Sequence, residues 1–250
     1  MIPTVTRTLV DTINRITYLC ITSFIPLEDH LFNKILNWKL LSGSHDFPGP
    51  EGGTCINEAA MVAAGFKYKA VKSVDFDTPE CFSRPIAQFA MILNDTLDDQ
   101  NRQKLMKFVL CFAGSADCQE IEDERRDLIR RTLNSGLMDI LYTMNEYYPL
   151  SSTIQKLRNM VIASDFYRAK ADVVRMMLVL RADISTLQHY EDYSKGVRLL
   201  SFFNENLADL GCSILEKALS IGNQAKPEEL DIVADRFENM KQAAKERAIV

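Results

Sequence analysis

The chain has 250 residues, of which 47% are hydrophobic and 25% charged, and its formal net charge at pH 7 is −5. This composition supplies enough apolar surface to offset the conformational entropy lost on folding, so it excludes a largely disordered chain. The acidic balance argues against general binding to phosphate backbones, which requires a basic face. Nucleic acid is therefore not an expected partner.

The sequence also gives no sign of a membrane protein. No stretch reaches the ~18 uncharged apolar residues from which a spanning helix is predicted. The apolar start of the chain is interrupted by Asp11 and Arg15, so we do not interpret it as a signal peptide. We therefore expect a cytoplasmic protein, in which the six cysteines are free thiols.

Apolar residues at helical spacing predict an all-α protein. Helices are expected over 5–25 and 29–41 and, after a loop rich in glycine and proline, over 55–65. Gly65 is a natural C-terminal cap for the last of these. Ser83 predicts the start of a further helix, because serine is a preferred N-cap residue.

Between and after these helices, segment 67–74 is expected to be an extended loop, because a short isolated strand is only marginally stable. Asp95 and Arg102 flank a tight turn, where we expect an ion pair. Two separate helices are predicted over 118–134 and 136–147.

The last hundred residues are predicted to form longer helices with two heptad seams. Apolar residues recur there at alternating spacings of three and four, which is typical of helices packed lengthwise in a bundle or coiled coil. The seams are either core within the chain or the surface of a homo-oligomer. Their residues are Leu200, Phe203, Leu207 and Leu210 in the first and Leu230, Val233, Phe237 and Met240 in the second.

These patterns together predict two domains. Residues 1–150 are expected to form a domain of short helices that contains the loop and helix start at 42–58. Residues 151–250 are expected to form a bundle of long helices or an oligomerisation region.

The helix start near Cys55 is the most prominent candidate for chemistry. In one interpretation, Cys55 is a nucleophile whose thiolate is stabilised by the positive end of the helix. His45 then acts as its base, and Glu58 lies one turn further along the helix. In the alternative interpretation, Cys55 is a small buried residue and Glu58 hydrogen-bonds the preceding loop. We favour the structural interpretation, because an acidic neighbour raises the pKa of a thiol.

Two ligand sites are alternatives to the nucleophile. His45, Cys55 and Cys81 are residue types that suit zinc, but their spacing matches no compact ligand pair. Gly52 and Gly53 precede the helix in the manner of an anion site, without the lysine of a phosphate loop. We therefore predict no metal and no cofactor.

Several residue pairs between positions 40 and 120 form a recognisable pattern. They are Cys55 with Glu58, Pro79 with Cys81, Ser83 with Pro85, Asn94 with Asp95, Arg102 with Gln103, and Ala113 with Gly114. This pattern resembles a helical domain that recurs in uncharacterised bacterial and phage proteins. The resemblance implies a bacterial or phage origin and brings no activity; for a phage protein, it suggests binding to and inhibition of a host defence assembly.

The predicted function is that of a non-enzymatic protein–protein interaction protein, with a protein partner and self-association into a homo-oligomer. No catalytic signature is recognisable, histidines are few, and no phosphate loop is present. The alternative is an enzyme, or a protein binding a metal or small ligand, with its site at His45, Cys55, Glu58 and Cys81.

Overall fold

The computed structural model describes residues 39–45, 53–147, 156–159 and 190–222, together with Asp235 and Asn239. Of the part that can be interpreted, 72% is helical and none is strand, which confirms the all-α prediction there. The one β-type contact among these residues is an isolated parallel bridge between Leu40 and Thr54. Within the same ranges, no helix has the length and apolar character needed to cross a membrane.

Both ends are described for six α-helices and one 3-10 helix. They are α1 (Ile56–Ala63), α2 (Val74–Asp77), α3 (Arg84–Thr96), α4 (Asp99–Arg102), the 3-10 helix Gln103–Cys111, α5 (Gln119–Tyr147) and α6 (Tyr190–Leu219). The described residues do not include the predicted helix over 5–25, the loop residues 46–52 or most of 151–189. Of the helix predicted over 29–41 they include only 39–41, and the prediction is wrong there, because Leu40 forms a bridge with Thr54 instead of a helical turn.

Local sequence accounts for where the short helices start and stop. Gly65 follows α1 with a φ of 88°, a left-handed conformation that glycine adopts without steric penalty. Ser83 occupies the N-cap position of α3, as predicted, and Pro85 lies in the first turn. The Ser83 side chain makes no cap hydrogen bond, because its hydroxyl donates to Glu122 instead. Segment 67–73 is irregular, so the prediction of an extended loop there is confirmed.

The prediction of two helices over 118–134 and 136–147 is wrong, because α5 runs without a break from Gln119 to Tyr147. Gly136 lies inside it, where a helix-breaking residue is tolerated for the sake of packing. A Cβ atom there would lie 2.4 Å from Cδ1 of Leu210, so the missing side chain lets α5 and α6 approach closely. Tertiary contact thus overrides the local cost of glycine, about 1 kcal/mol.

The long helices share one core with the short ones. All eight residues of α1 are buried, and α6 packs against α3, α5 and the 3-10 helix. Gly211 of α6 lies so near Leu93 of α3 that a Cβ atom would be 2.6 Å from its Cδ1. The predicted domain boundary near 150 stays a prediction, but in the described residues α6 belongs to the same hydrophobic cluster as α1 and α3.

The first heptad seam faces this core. Phe203 and Leu207 have no exposed surface, while Leu200 and Leu210 are partly buried and pack against the same cluster. Leu230, Val233, Phe237 and Met240 of the second seam lie outside the described residues.

Candidate functional site

Glu58, at the third position of α1, is the centre of the site around Cys55. Its side chain has no exposed surface. One carboxylate oxygen, Oε1, accepts hydrogen bonds from the backbone N–H of His45 at 3.1 Å, the backbone N–H of Val71 at 3.0 Å and the hydroxyl of Ser44 at 3.2 Å. A single oxygen atom therefore joins the loop before α1 to the extended segment after it.

The other oxygen, Oε2, binds the start of α1 itself. It accepts hydrogen bonds from the backbone N–H of Cys55 and the hydroxyl of Thr54, both at 2.9 Å. In return, the Cys55 side chain lies against the backbone N–H of Glu58, so the two residues form a capping box in which sulfur replaces the usual hydroxyl. We call Glu58 with these five donors the Glu58 clasp.

The clasp holds a charged carboxylate. Burial alone would raise the pKa of Glu58, but hydrogen bonds from the backbone N–H groups of Cys55, Val71 and His45, with the Thr54 hydroxyl, outweigh it and lower the pKa below 4.5. Such a group stabilises the fold above its unfolded-state pKa. That stabilisation is lost as the pH falls through the folded-state pKa.

Cys55 has the opposite electrostatic environment to that of a reactive thiol. Its side chain is 1% exposed. Burial raises its pKa well above the ordinary value, and the negative charge of Glu58 raises it further. Near neutral pH, Cys55 is therefore a protonated thiol without access to solvent.

His45 lies beside the carboxylate, and its backbone is held in place. Its ring atom Nδ1 is 3.5 Å from Oε2 of Glu58, and its carbonyl oxygen accepts a hydrogen bond from the Tyr68 hydroxyl at 2.7 Å. The structure thus brings His45 and Cys55 to the same glutamate, which is the pair of contacts that the sequence suggested.

Cys81 belongs to a different part of the core. Its carbonyl oxygen accepts a hydrogen bond from the backbone N–H of Ala116 at 2.9 Å. Across the described ranges, no three His, Cys, Asp or Glu side chains are grouped so that they would hold a metal ion. The residues His45, Cys55 and Cys81 are therefore not assembled into a zinc site there.

The segment before α1 is also held from the side of α3 and the 3-10 helix. The side-chain amide of Gln103 accepts from the N–H of Leu40 at 3.0 Å and donates to its carbonyl at 2.9 Å. Asn94 Nδ2 donates to the carbonyl of Leu41 at 2.8 Å, and Asp95 Oδ1 accepts from the N–H of Gly43 at 2.8 Å. These three polar residues fix the strand-like stretch that enters the clasp.

The predicted ion pair between Asp95 and Arg102 is wrong. Arg102 is 4% exposed and pairs with Asp99 instead. It also donates hydrogen bonds to the carbonyl oxygens of Asn94 and Leu97, both at 2.5 Å. The physical reason is that these carbonyls at the end of α3 lack helical partners, so a buried guanidinium caps them while Asp95 binds the loop.

The N-terminal end of α1 has its anion already. Glu58 Oε2 accepts a hydrogen bond from the backbone N–H of Cys55 at 2.9 Å, and Asn94 Oδ1 accepts one from the N–H of Ile56 at 3.3 Å. Gly53 is needed for a different reason: a Cβ atom on it would lie 2.3 Å from Cδ1 of Leu41 in the adjoining stretch. Gly52 lies outside the described residues.

A second buried polar cluster was not predicted. Arg125 of α5 is 1% exposed; its Nη1 donates to Glu122 Oε1 at 2.8 Å, and its Nη2 donates to the carbonyl of Ile221 at 2.6 Å. Glu122 Oε2 in turn accepts from the Ser83 hydroxyl at 2.6 Å. This cluster ties the start of α3 and the end of α6 to α5. The sequence does not reveal this cluster, because Glu122 and Arg125 stand in a run of charged residues whose other members are mostly exposed to solvent.

Comparison with known proteins adds no relative to this description. No family model, no curated protein and no solved structure matches the chain.

The accessibility of Cys55 predicts its reactivity. Among the described cysteines only Cys118 is exposed, so iodoacetamide is expected to alkylate Cys118 first in the native protein. Cys55 is expected to react only after unfolding, at least about 100-fold more slowly than an exposed thiol, because both access and ionisation are suppressed. Peptide mass spectrometry over a time course measures both rates. Alkylation of native Cys55 as fast as Cys118 would show that the thiol is accessible and restore the nucleophile hypothesis.

Replacing Glu58 by Gln is expected to destabilise the fold by about 2–4 kcal/mol, because an amide nitrogen cannot accept the buried hydrogen bonds that a carboxylate oxygen accepts. Urea denaturation measures the loss. Glu124→Gln on the exposed side of α5 is the matched control and should change the free energy of unfolding by less than about 0.5 kcal/mol. Equal stability of the two variants would contradict a structural role for the clasp.

Proposed function

We propose that this chain is a non-enzymatic protein–protein interaction protein whose contact surface centres on Phe76. The observation that carries the proposal is the exposure of this side chain, 85%, which is the greatest of any large apolar residue in the described ranges. Burying a phenylalanine side chain on binding supplies about 1.5–3 kcal/mol. Aromatic residues of this kind are typical centres of protein interfaces.

The turn that carries Phe76 is held rigidly by its own side chains. Asp77 Oδ2 accepts hydrogen bonds from the backbone N–H groups of Lys72 at 3.0 Å and Ser73 at 2.8 Å. The Thr78 hydroxyl donates to the carbonyl of Val74 at 2.6 Å, and Arg84 Nη1 donates to the same carbonyl at 3.0 Å. A side chain displayed on such a fixed turn loses little conformational entropy on binding, which favours a contact role.

Two observations weigh against the alternative of an enzyme or ligand-binding site at His45, Cys55, Glu58 and Cys81. The Glu58 carboxylate accepts hydrogen bonds from five donors of its own chain, and the Cys55 thiol is buried with a raised pKa. Residues used in this way hold the fold together, which favours a contact role for the exposed surface of the described residues.

The resemblance to a phage and bacterial domain makes a host defence assembly the first partner to test. In this proposal the protein acts by covering a surface of that assembly, and it catalyses no reaction. The excess negative charge of the chain, −5, favours partners with a positive surface and would speed their encounter.

The experiment compares tagged wild-type protein with Phe76→Ala in co-purification from bacterial cells. A protein recovered with the wild type should be lost with Phe76→Ala, and its affinity, measured with purified components, should fall by about 10-fold or more. Val197→Ala is the matched control, since Val197 is also exposed, at 41%, but lies on α6. If every recovered protein binds the Phe76→Ala variant as well as the wild type, the proposed contact surface is wrong.

A further inference from the structure

We draw no further inference here: the strongest candidate, the exposed surface patch around Phe76 on α2, already belongs to the proposed contact surface, and nothing in the described residues shows what covers it.

Discussion

The carboxylate of Glu58 is an anion inside the core, and the arrangement of the residues around it follows from that. A buried charge is tolerated only when hydrogen-bond donors surround it. The chain supplies them from three places: the loop at Ser44 and His45, the start of α1 at Thr54 and Cys55, and Val71 beyond α1. Those segments are brought together because each carries a donor that the carboxylate requires.

Around this carboxylate, further polar side chains hydrogen-bond the backbone of the segment that precedes α1. Gln103 bonds both the N–H and the carbonyl of Leu40, and Asn94 and Asp95 bind the next residues along. Arg102 supports this layer from beneath by capping the end of α3. Several of the paired residues that the sequence singles out, namely Glu58, Asn94, Asp95 and Gln103, thus share one physical role: they hold one irregular segment against α1, α3 and the 3-10 helix. Their pattern describes an architecture and needs no active site to explain it.

The sequence predicts the helical class, the cap residues Ser83 and Gly65, and the link between Glu58 and the loop, because these depend on local spacing and residue type. It does not predict the continuity of α5, since the close approach of Leu210 to Gly136 involves a residue distant in the chain. Arg102 and Arg125 are buried for the same kind of reason: their partners are backbone carbonyls, which carry no sequence signal. The exposure of Phe76 is not predicted from the sequence either, because an apolar residue between two aspartates is typical of an ordinary turn.

The central claim is that Glu58 is an ionised structural group whose charge is stabilised by its own chain. Its side-chain carboxyl carbon reports ionisation directly in a ¹³C NMR titration of the folded protein, from about pH 7 downward. The account predicts a midpoint below the ordinary value of 4.5, with the amide signals of Cys55, His45 and Val71 shifting together with it. A midpoint at or above 4.5, or a carboxyl that titrates without moving those amides, would contradict the account.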